Sequence, residues 1–284
     1  MAKQVILCAD STCDLSAELK EKYGVHTYPL HVLVGEKSCS DGVDITPDDI
    51  YAAYREQGIL PKTAAVNTAE YLDFCAPFIE DGCDVVYISL GSALSTSYNN
   101  CRLAALETDG LYVVDSCNLS TGSGLLVLEA AERIAAGMPA KQVAEEVQAL
   151  TGKVQASFVL DTLEFLHKGG RCSALAMFGA NLLQLKPGIE VNNENGSMGV
   201  GKKYRGSLDK ALQQYVQDEL DGRTDIDTKR LFITHSGISQ ERIDMVKAEV
   251  AKYQKFEEIL VTRAGCTISS HCGPNTLGIL FMTK

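Results

Sequence analysis

Val85-Val86-Tyr87-Ile88-Ser89-Leu90-Gly91-Ser92-Ala93-Leu94-Ser95-Thr96-Ser97-Tyr98-Asn99-Asn100-Cys101-Arg102-Leu103-Ala104-Ala105-Leu106 reads as a strand, a turn of small hydroxylated residues and a helix. An unbroken branched and aromatic run suits a buried strand, and the serines and threonine before Tyr98 stand where a helix begins. The same rhythm recurs on either side. Val5-Ile6-Leu7-Cys8 and Leu111-Tyr112-Val113-Val114 are strands of this kind, residues 28–34 form another, and helical patterns lie between them. Pro139 starts a helix at its first-turn position, with Val143, Val147 and Leu150 along one face. Such alternation predicts an α/β fold with a mainly parallel sheet and crossover helices.

After Thr151-Gly152-Lys153 the rhythm changes. Strands are expected at residues 156–160, 230–234, 258–262 and 277–282. One helix carries Leu208, Ala211, Leu212, Tyr215 and Val216, and another, capped by Ser239, carries Ile243, Val246 and Val250. The expectation is two domains, an N-terminal mainly parallel α/β domain over residues 1–155 and a C-terminal α+β domain over 156–284. No Pro- or Ser-rich linker separates them, so they should pack tightly.

The chain has 284 residues, 45% of them hydrophobic, and 26 Lys and Arg against 37 Asp and Glu give a net charge of −11. This is a globular composition with a sizeable core. The acidic balance disfavours nucleic acid as a partner. No run of about 18 apolar residues is present to span a bilayer, and no export signal opens the chain, so a cytoplasmic location is expected. The ten cysteines form no Cys-x-x-Cys pair and read as reduced, buried thiols. Neither a metal nor a cofactor is expected.

In an open parallel sheet, ligands bind beyond the carboxyl ends of the strands. Three such ends lead into Asp10-Ser11-Thr12-Cys13-Asp14, Ser89 through Ser97, and Asp115-Ser116-Cys117-Asn118-Leu119-Ser120-Thr121-Gly122. Ser95-Thr96-Ser97 before a helix would offer backbone N–H groups and hydroxyls to a carboxylate or phosphate. Serine and threonine there also serve as plain caps, and the coincidence of three rims is what favours a site. Gly91-Ser92-Ala93-Leu94-Ser95 lacks the Gly-x-Ser-x-Gly pattern of a nucleophile elbow, and Gly122-Ser123-Gly124 lacks the third glycine of a dinucleotide fingerprint.

In Leu163-Glu164-Phe165-Leu166-His167-Lys168-Gly169-Gly170-Arg171-Cys172-Ser173, the paired glycines permit a tight path that aims Arg171 inward. It could fork onto a carboxylate or join the domains by an ion pair. His271 lies in the small-residue turn Gly265-Cys266-Thr267-Ile268-Ser269-Ser270-His271-Cys272-Gly273-Pro274, without metal-ligand spacing. Lys202-Lys203-Tyr204-Arg205 is either a solvated face or a docking patch for an acidic partner.

Seven segments, taken in order, resemble the DegV family, which includes the fatty-acid-binding subunits of bacterial fatty acid kinase. They are Asp10-Ser11-Thr12-Cys13-Asp14-Leu15, Pro61-Lys62-Thr63, Leu94-Ser95-Thr96-Ser97-Tyr98, Val114-Asp115-Ser116, residues 163–171, Leu185-Lys186-Pro187 and His271-Cys272-Gly273-Pro274. The resemblance implies a long-chain fatty acid in an internal tunnel between or beside two α/β domains, its carboxylate near their junction. Carried over by motif, Thr63 and Ser95 would bond the carboxylate, and His271 and Arg171 would complete the polar end. Ser92, Thr96 and Ser97 stand in reserve in the same loop. The protein would be a carrier rather than an enzyme, presenting the acid to a fatty acid kinase subunit that makes the acyl phosphate. Arg205, with Lys203, matches the region that meets this kinase. The chain departs from the family pattern at Ala64-Ala65-Val66, where Ser-Gln-Pro is usual, and at Thr96-Ser97, where Gly-Thr is usual. The alternative from another class is a small hydrolase or transferase acting on a carboxylated or phosphorylated metabolite, with Ser95 as nucleophile and His271 as base.

Overall fold

Strand β1 (Val5–Asp10) runs through a 3-10 turn into α1 (Ala17–Tyr23), whose N-terminus the Ser16 hydroxyl caps and which Gly24 ends in the left-handed conformation. Then follow β2 (Val25–Tyr28), β3 (His31–Val34), β4 (Lys37–Ser40), α2 (Pro47–Gln57), β5 (Lys62–Ala64) and α3 (Thr68–Glu80). Capping boxes at Thr46/Asp49 and Asn67/Glu70 set the starts of α2 and α3. The N-terminal half closes with β6 (Asp84–Ser89), α4 (Ser97–Glu107), β7 (Leu111–Asp115), α5 (Ser120–Ala135) and α6 (Ala140–Leu150). These elements come from a computed structural model that describes residues 3–172 and 185–284.

Four strands pair in parallel in the order β2-β1-β6-β7, as the alternating pattern predicts. The stretch 28–34 departs from expectation, because it is two strands in two sheets. Tyr28 ends β2 in the parallel sheet, while β3 starts at His31 in a three-stranded antiparallel sheet of order β4-β3-β5. Between them Pro29 has no N–H to continue a ladder. Pro139 is the residue before α6 rather than its first.

The second half contains β8 (Val154–Val159), α7 (Glu164–Gly169), β9 (Leu185–Val191), β10 (Met198–Arg205), α8 (Leu208–Leu220), β11 (Ile226–His235), α9 (Gln240–Tyr253), β12 (Glu258–Arg263), α10 (Cys266–Cys272) and β13 (Leu277–Thr283). Six strands form a mixed sheet in the order β10-β9-β8-β13-β11-β12, in which only β11 and β12 run parallel. Ser239 precedes α9 in extended backbone but makes no side-chain cap. The result is an α/β fold with a parallel N-terminal region and a C-terminal mixed sheet with helices.

One apolar cluster runs from Leu7, Val86 and Leu126 to Val154, Ile189 and Leu280, so the two halves share a core. Helix α5 is the element between them. It is buried almost all round and contacts β1 and β6 on one side and β8, β11 and β13 on the other. At its far end, Glu129 and Glu132 receive Lys229, and Glu132 with Glu258 receives Arg230, a buried guanidinium of β11. A second cluster, with Val159, Tyr215, Leu231 and Ile279, fills the other face of the mixed sheet under α8 and α9. Among the described residues no helix is long and apolar enough to cross a membrane.

Candidate functional site

The loop that lines the site is anchored on a buried acid. Asp10 ends β1, and its carboxylate accepts hydrogen bonds from the hydroxyls of Tyr71 and Tyr87 (both 2.9 Å), the Ser89 hydroxyl (3.0 Å) and the Leu90 N–H (2.7 Å). Burial pushes its pKa up and these four donors pull it back. A carboxylate so fully satisfied has no donors left to recruit, and it pins the start of the loop 90–96 against the sheet.

Within that loop, the Ser92 N–H donates to Asp115 (3.0 Å), and the Ser95 hydroxyl accepts from the Ser97 N–H (3.1 Å) while bonding the Ser97 hydroxyl (2.9 Å). Ser95 therefore takes the capping role at α4, and Thr96 makes no cap. Ser92, Ser95 and Thr96 line a cavity, whereas Ser97 is fully buried and stands outside its lining. The three rims are thus not equivalent. The polar groups of the first and third largely tie the loops to one another, through Asp10 with Leu90, Asp14 with Ser120, and Asp115 with Ser92. Of these two rims only Leu119 and Ser120 reach the cavity.

Thr63 arrives from the small sheet, where β5 pairs it with Val32 of β3. His271 arrives on the last turn of α10, 208 positions away, and its Nε2 meets the Thr63 Oγ1 at 2.8 Å. The other ring nitrogen, Nδ1, is buried without a partner. It lies under Gly169, where a Cβ would come within 2.3 Å of it, so only glycine lets this chain segment pass over the imidazole. Burial, reinforced by the Arg171 guanidinium, lowers the His271 pKa to about 4. The ring is neutral at pH 7, with one nitrogen that donates and one that accepts. Arg171 itself is exposed at the cavity wall and donates to the Gly169 carbonyl at 2.6 Å. No carboxylate among the described residues pairs with it, so of its two readings the ion pair between halves is not formed. Ser173, the last residue of that stretch, lies outside the described residues.

The cavity that these groups share measures about 470 Å³. Its floor is the mixed sheet, through Ala156, Phe158, Val191, Met198, Gly278 and Leu280, and Leu30, Leu94 and Ile268 face it. A second polar set, absent from the sequence reading, also lines it. Thr234 bonds Thr121 (2.6 Å) and Thr262 (3.1 Å), Ser236 donates to the Gly273 carbonyl, and Thr276 donates to that of Cys272 (2.8 Å). The local signal was slight, since Thr234 lies in β11 and Ser236 one residue beyond its end, and His235 between them lines the cavity too.

The nucleophile and base of the enzyme alternative are not paired. Ser95 bonds Ser97 and His271 bonds Thr63, so the hydroxyl nearest the imidazole is not the one that reading requires. Lys203 and Arg205 lie outside the cavity, exposed on β10, an edge strand that shifts register between Val200 and Lys203. Their neighbour Lys202 pairs with Asp218 at 2.8 Å.

Comparison with known proteins agrees in family and fold. Residues 4–284 match a family described as an uncharacterised protein, DegV family. A fatty acid-binding protein of Thermotoga maritima is 28% identical over 282 residues, covering 97% of this chain and 96% of its own. A solved DegV family protein from Thermus thermophilus, described for its fatty acid binding, superposes with a TM-score of 0.87 at 30% identity, over 99% of this chain and 100% of that one. A stearic acid-binding protein from Eubacterium ventriosum superposes with a TM-score of 0.83 at 26% identity, over 100% of this chain and 99% of that one.

Proposed function

The chain belongs to the DegV family, and from that premise we propose that it binds a long-chain fatty acid in the cavity and carries it to a fatty acid kinase. The observation that carries this reading is the meeting of the Thr63–His271 pair with an apolar floor in one cavity of about 470 Å³, a size in the range of small-molecule sites. The solved relatives from Thermus thermophilus and Eubacterium ventriosum, described as fatty-acid and stearic-acid binders, support it.

The acyl tail supplies affinity. Fourteen methylenes at about 0.8 kcal/mol each give on the order of 11 kcal/mol before the costs of association. The carboxylate needs donors, because an unpaired anion is not tolerated in an apolar interior. With Nε2–H of the neutral His271 donating to Thr63, the threonine hydroxyl is free to donate onward to the carboxylate, and Ser95 and Arg171 complete the set. Arg171 supplies the only formal positive charge in that set, and Ser92 and Thr96 stand beside it in the lining.

Chemistry on the bound acid belongs to the partner. The carrier holds the carboxylate at the cavity wall for phosphorylation by a separate kinase subunit, and Lys203 and Arg205, exposed on the edge strand β10, form the surface that meets it. Organic extraction of the purified protein followed by mass spectrometry tests the ligand. A near-stoichiometric acyl chain, or uptake of added palmitate or oleate, is expected, and the absence of both overturns the reading. In a coupled assay with the kinase, Arg205→Glu should slow acyl-phosphate formation while leaving palmitate affinity unaltered. A parallel loss of both would remove Arg205 from the docking surface.

A further inference from the structure

Three successive backbone N–H groups at the start of α10 end on two carboxylates. Gly265 N–H donates to Asp14 (2.8 Å), while Cys266 N–H and Thr267 N–H donate to the two oxygens of Asp41 (2.6 and 3.1 Å). Asp14 comes from the turn after β1 and Asp41 from the segment after β4, so two separate parts of the N-terminal half hold one short helix of the C-terminal half. Each carboxylate is in turn held by a hydroxyl, Asp14 by Ser120 (2.5 Å) and Asp41 by Ser11 (3.0 Å). The helix they hold carries His271 on its last turn. Ala264 and Thr267 at its start also line the cavity, and the buried Thr267 hydroxyl has no partner there.

We propose that Asp14 and Asp41 are positioning residues for the ligand's polar end, clamping the start of α10 so that His271 stays on Thr63. The inference rests on reading the cavity as an acyl-chain site. Its chemical peculiarity is that the clamp is made of two acids side by side. A Cβ on Gly265 would stand 3.2 Å from an Asp14 oxygen and 3.1 Å from an Asp41 oxygen, so both acids crowd one α-carbon. The titratable groups facing Asp14 are Asp41, Cys13 of the 3-10 turn, and Cys266 and Cys272 of α10. No cation among the described residues faces it. Burial first, and Asp41 second in raising it, push the Asp14 pKa up to about 8.

A carboxyl whose folded pKa is raised contributes stability that is present below its unfolded pKa, near 3.9, and is lost as the pH rises through the folded value. Above pH 8 Asp14 is ionised beside Asp41, which strains the start of α10 and loosens the contact of His271 with Thr63.

The test is palmitate affinity by calorimetry from pH 6.5 to 9.5, together with thermal melting of the ligand-free protein over the same range. Wild-type affinity is expected to fall about tenfold across pH 8, the equivalent of one pKa unit of coupling. Asp14→Asn, which cannot ionise but keeps an acceptor for Gly265, should lose that step and gain melting temperature on the wild type as the pH rises. Asp14→Ala should bind more weakly at every pH, with Asp14→Asn restoring affinity. Parallel pH profiles for wild type and Asp14→Asn overturn the clamp. Diverging melts without any palmitate binding would support the clamp and overturn the acyl-chain reading, so the two fail separately.

Discussion

The mixed sheet has two faces built from the same strands, and they have opposite fates. Odd-numbered residues of β8, β11 and β13, among them Val159, Leu231, Ile233, Leu277, Ile279 and Phe281, pack solidly against α8 and α9. Even-numbered residues point the other way and leave about 470 Å³ open, with Ala156, Gly278 and Thr234 on the floor beside Phe158 and Leu280. Strand pairing joins the small residues into a patch, since Gly278 lies opposite Phe158 and Thr234, and Leu280 opposite Ala156. The lesson is that a cavity here is a matter of side-chain volume on one face of a sheet, not of a different backbone.

The most direct way to break this contrast is to fill the open face. Ala156→Phe should displace about five methylenes of an acyl tail, about 4 kcal/mol or close to a thousandfold in affinity by calorimetry, with circular dichroism showing a folded protein. Undiminished binding would mean that the tail lies elsewhere. The converse change on the solid face is Ile279→Ala, which should cost about 2–5 kcal/mol in urea unfolding while the folded protein keeps its palmitate affinity. If affinity falls with stability, the two faces are not independent.

The open face should also be the acid-sensitive one. A histidine whose pKa drops from 6.5 unfolded to about 4 folded loses the protein stability as the pH falls through that interval, because the unfolded chain binds the proton more readily. The loss reaches on the order of 3 kcal/mol by pH 4, and His271→Asn should lessen the acid sensitivity relative to wild type in melts from pH 7 to 4. Parallel melts would mean that His271 is not buried as neutral imidazole. Smallest is Thr63→Val, which removes the hydroxyl that the proposed function sets between His271 and the carboxylate. It should weaken palmitate binding by about 2 kcal/mol, close to thirtyfold, and leave palmityl alcohol, which has no charge, much less affected. Equal losses for acid and alcohol would move the head group away from Thr63.

Much of this architecture was legible along the chain, for reasons that differ from element to element. β1 and β6 announce themselves because a strand covered on both faces is apolar at nearly every position, and β7 because its run Leu111-Tyr112-Val113-Val114 is branched and aromatic although it lies at the sheet edge. β9 and β10 do not, because Lys186, Pro187, Lys202 and Lys203 interrupt any apolar pattern where the sheet approaches its edge. The division of residues 28–34 between two sheets was hidden because branched residues flank Pro29 on the far side and look like one strand. At the site, the serine turn before α4 was visible as a local motif. The demotion of Ser97 to the interior and the capping by Ser95 were not, since both depend on which way a loop turns after its strand.

What local pattern settles in this protein is the class of each element, because apolar period and helix-start chemistry act over a few residues. Ser95 and Arg171 could be read locally as donors for an anion, Thr63 and the role of His271 entered by resemblance to a family, and nothing in their own neighbourhoods said that the four meet. Only the tertiary structure brings Thr63 and His271 to 2.8 Å across 208 positions, and only it decides that one face of a sheet is filled and the other hollow. Both are properties of space between elements, where the volumes and donors of residues far apart in the chain are compared with one another, and no reading along a single strand or helix contains that comparison.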